Sequence, residues 1–136
     1  MDFETIDRLN DRQVLELHEM YQMEWWTRER KLADVQSAVA NSDVIVAIMK
    51  IETEELVAFS RVLTDYVYKA LIFDVIVKAP YRGERLGRRL MDTITAYPTL
   101  RKVKHFELYC RPEMVPFYQK WGFSSDLGEL EFIRRG

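Results

Sequence analysis

One stretch constrains this chain more than any other: Leu71-Ile72-Phe73-Asp74-Val75-Ile76-Val77, followed by Arg82-Gly83-Glu84-Arg85-Leu86-Gly87-Arg88-Arg89-Leu90. A run of β-formers passes through a glycine-containing turn into a helical pattern that extends from Leu86 to Tyr97. The first N–H groups of a helix have no internal acceptor and the helix dipole favours negative charge there. Strand, turn and helix in that order therefore build an anion site. Gly83 and Gly87 let backbone approach a phosphate closely, and arginines at 82, 85, 88 and 89 add positive charge. The segment predicts a grip on a pyrophosphate and hence a nucleotide-bearing cofactor.

The rest of the composition narrows the frame. The chain has 136 residues, 48% of them hydrophobic, which suits one domain (1–136) with a single core and argues against disorder. A net charge of −2 argues against bulk nucleic-acid binding, which needs a broad basic face. A single cysteine, Cys110, excludes an internal disulfide and fits a reducing compartment. The opening residues Met1-Asp2-Phe3-Glu4-Thr5-Ile6-Asp7 are too acidic for a secretory signal, and no apolar run reaches the roughly 18–20 residues of a membrane span. The expectation is a cytoplasmic protein with no membrane partner.

Punctuation along the chain predicts the remaining elements. Asn10-Asp11 caps a helix with Val14, Leu17, His18 and Tyr21 on one face. A second helix fits Arg30 to Ala40 and breaks at Asn41-Ser42-Asp43. Val44 to Ile51, Leu56 to Leu63 and Ala70 to Val77 read as consecutive strands, with Thr53-Glu54-Glu55 as a hairpin turn and Glu52, Glu54 and Glu55 solvated. The helix from Leu86 stops at Pro98; Val103 to Tyr109 alternates like a strand; Pro112 opens a helix that Gly122 ends in a left-handed conformation. Leu127 to Ile133 reads as a last strand, and Phe3 to Ile6 as a short first one. Consecutive strands followed by an alternating half predict an α/β fold with a mixed sheet.

Two blocks carry a resemblance to a known family. Arg82-Gly83 with Leu86-Gly87 fits Arg/Gln-x-x-Gly-x-Gly/Ala at the head of the central helix, and Phe117-Tyr118-Gln119-Lys120-Trp121-Gly122-Phe123 fits Phe-Tyr-x-Lys-x-Gly-Phe near the C-terminus. In this order and spacing the chain resembles the GCN5-related N-acetyltransferases, the GNAT superfamily, from about Val44 to Phe132. It departs at two places: Arg85 stands at the signature's middle glycine, and Arg111 where members often have an asparagine seven residues before the tyrosine.

The resemblance implies the GNAT fold, a mixed twisted sheet flanked by helices and splayed in the middle. It implies acetyl-CoA as acyl donor, with the pantetheine arm along Val75-Ile76-Val77 and the pyrophosphate on Arg82, Gly83, Glu84, Arg85, Leu86, Gly87 and Arg88. The activity implied is transfer of an acetyl group to a primary amine by direct attack, with a small molecule as acceptor and a homodimer as a frequent assembly. Its rival is an acyl-CoA-binding module without turnover.

The residues suggest roles within that frame. Tyr118, a phenol protonated at pH 7, suits proton donation to a departing thiolate, against a packing role beside Phe117 and Trp121. Asp74, in an apolar strand on the predicted face of Ile72 and Ile76, suits a base whose pKa burial raises. Its alternative is a structural carboxylate paired with an arginine such as Arg61. Tyr21, Trp25 and Trp26, with Arg61, are candidates for the acceptor pocket, Trp25 and Trp26 giving an apolar or cation-binding wall with Glu19 or Glu24 as counter-charge; the alternative is core coverage. Cys110 reads as a buried structural thiol, His18 as a packed histidine and His105 as solvent-facing. One cysteine and two separated histidines form no recognisable metal site.

Overall fold

The computed structural model describes residues 2–136. Strand β1 (Phe3–Ile6) leads to helices α1 (Asp11–Gln22) and α2 (Leu32–Ala40), then to strands β2 (Val44–Lys50), β3 (Leu56–Thr64) and β4 (Lys69–Val77). Helix α3 (Leu86–Thr95), strand β5 (His105–Leu108) and the single turn α4 (Val115–Tyr118) follow. One five-stranded sheet in the order β1-β2-β3-β4-β5 carries all the strands, antiparallel except for the parallel pair β4–β5.

Local chemistry sets the element ends. Asn10 closes a capping box: its side chain accepts from the N–H of Gln13 at 2.8 Å while the Gln13 side chain accepts from the N–H of Asn10 at 3.0 Å. Alternation in β2 divides the core cleanly. Val44, Val46 and Ile48 face α3 with Leu90, Met91 and Ile94, while Ile45 and Ala47 face α1 and α2 with Leu17, Met20, Tyr21 and Val35. Gly122 has φ +86°, the left-handed terminator expected of it.

Two features of β4 position the site. Asp74 has φ +59°, and the register with β3 slips between Phe59↔Ile76 and Arg61↔Phe73. This is a bulge, and it inverts the alternation: Ile72 packs on the α3 side, whereas Ile76 packs on the α1 side. The predicted common face of Ile72, Asp74 and Ile76 is therefore corrected. The second feature is a splay. Pairing of β4 with β5 ends at Ile72↔Leu108, so Phe73 to Val77 have no ladder partner on that side.

The last strand expected at Leu127 to Ile133 is absent. Asp126 accepts from the N–H of Gly128 at 2.8 Å and Ser124 from the N–H of Asp126 at 3.0 Å, and these side-chain turns redirect the chain. The segment touches the domain through side chains instead, with Phe132 edge-on to Tyr109 at 4.8 Å. Glu55 is also not simply solvated. It pairs with Lys78 at 2.7 Å and accepts from the Tyr81 hydroxyl at 3.1 Å, bonds that hold its carboxyl below the ordinary range against the effect of burial. No helix among the described residues is long and apolar enough to cross a membrane.

Candidate active site

The β4–α3 connection lines a concave cavity. After Val77 the chain makes a 3₁₀ turn at Ala79–Tyr81, runs extended at Arg82, and takes left-handed conformations at Gly83 (φ +97°) and Arg85 (φ +60°) before α3 starts. Arg85 is the helix cap and supplies no capping side-chain bond. The first intrahelical acceptance is by the Arg85 carbonyl from Arg89 N–H, so the N–H groups of Leu86, Gly87 and Arg88 have no backbone acceptor among the described residues. A cavity of about 360 Å³ opens over them, lined by Val77, Tyr81, Arg82, Gly83, Arg85, Leu86, Gly87, Arg88, Phe117 and Lys120.

Seven of the expected cofactor residues thus come together, and three do not line the cavity. Val75 packs toward α3, Ile76 is buried on the opposite face, and Glu84 is exposed. What Val75 to Val77 offer is the unpaired backbone edge of the splay. The four arginines also divide. Arg89 ties α3 to β1 through Thr5 Oγ1 at 2.9 Å and the Phe3 carbonyl at 3.2 Å, so it is structural. Arg82 donates to the Val77 carbonyl at 3.1 Å and pairs with Glu24, while Arg85 and Arg88 remain at the cavity wall. Lys120 and Phe117, which motif spacing places three residues apart on one helical turn, complete that wall and were missed as ligand residues.

Tyr118 projects from α4 and is 7% exposed. Burial, and to a smaller degree the Cys110 thiol nearby, pushes its pKa up to about 12, so it holds its proton at neutral pH. Its hydroxyl makes no hydrogen bond to a described residue, yet no described side-chain polar atom is both sealed from solvent and unpartnered. The hydroxyl therefore reaches accessible space as a spare donor. Cys110 is exposed, which corrects the buried thiol expected there: β5 ends at Leu108, so the residue lies beyond the sheet. Partial desolvation and the Glu113 charge push its pKa up, which disfavours the thiolate.

Asp74 sits on the α1 side in a dense ionic cluster. Arg30 donates to both carboxylate oxygens at 2.7 and 3.1 Å, Arg61 Nε at 2.9 Å, and the Tyr21 hydroxyl at 2.9 Å. Burial alone would raise the pKa of Asp74; the hydrogen bonds and charges of Arg30 and Arg61 outweigh it and the pKa is lowered. The raised pKa expected of a general base is thus corrected: this carboxylate stays ionised and acts as an anchor. Burial, with the Asp74 charge, drives the Tyr21 pKa up, so that phenol is a fixed donor. Arg30, 44 residues from Asp74 in sequence, gave no local signal of this role.

The aromatic trio separates. Tyr21 is 2% exposed and belongs to the core, whereas Trp25 and Trp26 are 62% and 40% exposed. The Arg111 guanidinium lies 4.6 Å from the Trp25 ring centre, and Glu24 is engaged by Arg82. His18 is half-buried against the Arg30 carbonyl at 3.1 Å, and His105 is exposed. No group of three or more His, Cys, Asp or Glu among the described residues is arranged to hold a metal.

Comparison with known proteins agrees with this geometry. The family model "Acetyltransferase (GNAT) family" matches residues 8–123. The uncharacterized N-acetyltransferase ycf52 of Pyropia yezoensis is 28% identical over 115 residues, covering 83% of this chain and 66% of that protein, so the chain spans just under two thirds of that relative's length. A GNAT-family protein of Xanthomonas campestris pv. campestris superposes with a TM-score of 0.82 at 26% identity, covering 100% of this chain and 94% of the other. The fold is shared with AAC(6')-Iy, solved in complex with the bisubstrate analogue CoA-S-monomethyl-acetylneamine, at a TM-score of 0.72 and 12% identity over 100% of each chain.

Proposed function

The chain belongs to the acetyltransferase (GNAT) family, and from that premise we propose that it transfers the acetyl group of acetyl-CoA to a primary amine of a small molecule. One observation carries the reading. A cavity over the unpaired N–H groups of Leu86, Gly87 and Arg88 opens at the end of β4, beyond the point where β5 has parted from it. The fit is tested by Gly87: a Cβ there would point between Phe117 Cζ at 3.6 Å and Val77 Cγ2 at 3.9 Å, filling space the loop keeps open. Backbone amides, Arg85, Arg88 and Lys120 would hold the phosphates, and the unpaired edge from Phe73 to Val77 would take the pantetheine amides as an added strand.

When bound, acetyl-CoA supplies an activated acyl carbon and a thiolate leaving group. The chain's own part is to align, polarise and protonate. Unpaired N–H groups of β4 beside the splay are donors for the developing oxyanion. Tyr118 keeps a proton on its hydroxyl and offers it to the departing sulfur. Asp74, held ionised by two guanidinium groups, is too weak a base to deprotonate the amine, so that proton leaves to solvent through the open mouth. A small acceptor fits a chain with no added peptide-docking segment between its sheet elements.

Tyr118→Phe tests the assignment. CoA should still protect the variant against thermal unfolding as it does the parent, while acceptor-dependent thiol release falls about 100- to 10,000-fold, the range of a single acid–base group. Protection of the parent with no thiol release from any amine would favour the binding module over the enzyme. Undiminished release from the variant would remove Tyr118 from the chemistry.

A further inference from the structure

The bulge at Asp74 turns both Phe73 and Asp74 toward Arg61, whose guanidinium is 4.7 Å from the Phe73 ring centre and 2.9 Å from the carboxylate. Two guanidinium groups thus share one carboxylate, which leaves a surplus of one positive charge. Arg30 uses both terminal nitrogens on Asp74. Arg61 uses only Nε; its two terminal nitrogens have no acceptor among the described residues and are not sealed from solvent. Phe73 beneath and Asp74 beside it fix the plane of this half-used fork.

The fork lies beside the start of the splay. Arg61 is paired in register with Phe73, one residue past the last β4–β5 pair, Ile72↔Leu108. The surroundings are cationic too. Arg111 covers the Trp25 ring and Arg134 lies 5.7 Å from the Tyr109 ring centre, itself 6.1 Å from Phe73. Glu113, 3.7 Å from Arg111, is the acidic group there. A chain of net charge −2 concentrates arginines at this mouth. Arg111 against the Trp25 ring and Arg82 on Glu24 already occupy part of the apolar or cation-binding wall that the sequence suggested for Trp25 and Trp26.

We propose, building on the acetyltransferase reading, that the acceptor is an amine that also carries an oxyanion, carboxylate or phosphate, which docks on the free edge of Arg61. A planar guanidinium with two parallel N–H donors matches either oxyanion bidentately. The surplus positive charge repels acceptors that bear only ammonium groups, polyamines among them, and favours the neutral, nucleophilic form of an arriving amine.

The test measures thiol release from acetyl-CoA with matched pairs of acceptors: amino acids against their carboxamides, ethanolamine phosphate against ethanolamine, and spermidine as a purely cationic amine. In at least one pair the anionic member is expected to have a KM at least 10-fold lower at similar kcat, with spermidine poorest; which pair responds identifies carboxylate or phosphate. Arg61→Lys, which keeps the charge and loses the fork, should narrow the KM ratio to within about threefold, chiefly by raising the KM of the anionic member. Equal KM values within both pairs, or spermidine as the best acceptor, overturn the inference and leave the acetyltransferase reading standing. Absence of release with every amine, despite protection by CoA, overturns both. The comparison of pairs on the parent protein decides the matter even where Arg61→Lys fails to fold.

Discussion

Gly87 separates the stability of this fold from its ligand chemistry, because the two should move in opposite directions when a methyl group is added. The residue is the second of α3 and its backbone is not left-handed, so alanine is conformationally acceptable. The new Cβ would meet Phe117 and Val77 at 3.6 and 3.9 Å, ordinary contact distances that require nothing to shift. Glycine in a helix costs about 0.5–1 kcal/mol relative to alanine. Gly87→Ala should therefore gain about 0.5 kcal/mol, or roughly 1–2 °C in Tm.

The same methyl stands where a phosphate oxygen must approach the amides. Loss of one hydrogen bond to a charged group is worth about 1.5–3 kcal/mol, which weakens CoA binding by roughly 10- to 150-fold. Ligand at 100 times the parent Kd stabilises the parent by about 2.7 kcal/mol, and a variant weakened tenfold by only about 1.4 kcal/mol. Gly87→Glu goes further, since a carboxylate suits the helix N-terminus but repels the phosphates and should abolish binding. Thermal denaturation with and without CoA, backed by calorimetric titration, reads both effects. An unchanged Kd for Gly87→Ala would refute the placement of the phosphates, and a lowered Tm would refute the packing argument.

Two further outcomes follow from strain and charge. Arg85→Gly should raise Tm by about 2–4 °C, because a non-glycine residue at φ +60° costs about 1 kcal/mol, and should weaken CoA binding a few-fold at low salt; a fall in Tm contradicts the strain. Asp74→Asn should destabilise by about 2–4 kcal/mol, after discounting for the partial exposure of Arg30, by leaving two guanidinium groups without their anion. Because the folded-state pKa of Asp74 is lowered, the parent keeps this contribution above the unfolded value of about 4 and loses it as pH falls through the folded value. The Asn variant should lack that acid-side loss; parallel stability profiles below about pH 4 would rule the pairing out.

The parts of this molecule legible in its sequence are those written locally. The β4–α3 loop proposed to hold the phosphates lies within seven consecutive residues, Arg82 to Arg88, and the caps at Asn10 and Gly122 depend on neighbours within a turn. A continuous run of β-forming apolar residues identifies β2 because both its faces are covered. The bulge was not legible: nothing in Ile72-Phe73-Asp74-Val75-Ile76 announces where the pairing with β3 slips, and a strict period of two put Asp74 with Ile72. Nor was Arg30, whose partner is 44 residues distant. Leu127 to Ile133 failed as a strand because β-propensity describes only the surface a segment would fit; after the side-chain turns at Ser124 and Asp126 it meets the end of β5 through the Phe132–Tyr109 ring contact and not through a ladder.

A left-handed aspartate in a strand is costly unless its surroundings hold it, and here they do so from three elements: Tyr21 on α1, Arg30 ahead of α2, and Arg61 on β3. The cluster fixes the bulge more than it adds net stability, since a buried ion pair offsets much of its own desolvation. What the bulge does is geometric. It ends the regular pairing one residue after Ile72↔Leu108, turns Val75 and Val77 toward α3, and leaves Phe73 and Asp74 facing the half-used Arg61 fork. One backbone irregularity thereby places an unpaired strand edge between the proposed phosphate loop and the Arg61 guanidinium proposed to dock the acceptor. Loosening the cluster at Asp74, Arg30 or Arg61 should consequently disturb both ligands at once, whereas a change at Gly87 should disturb the cofactor alone.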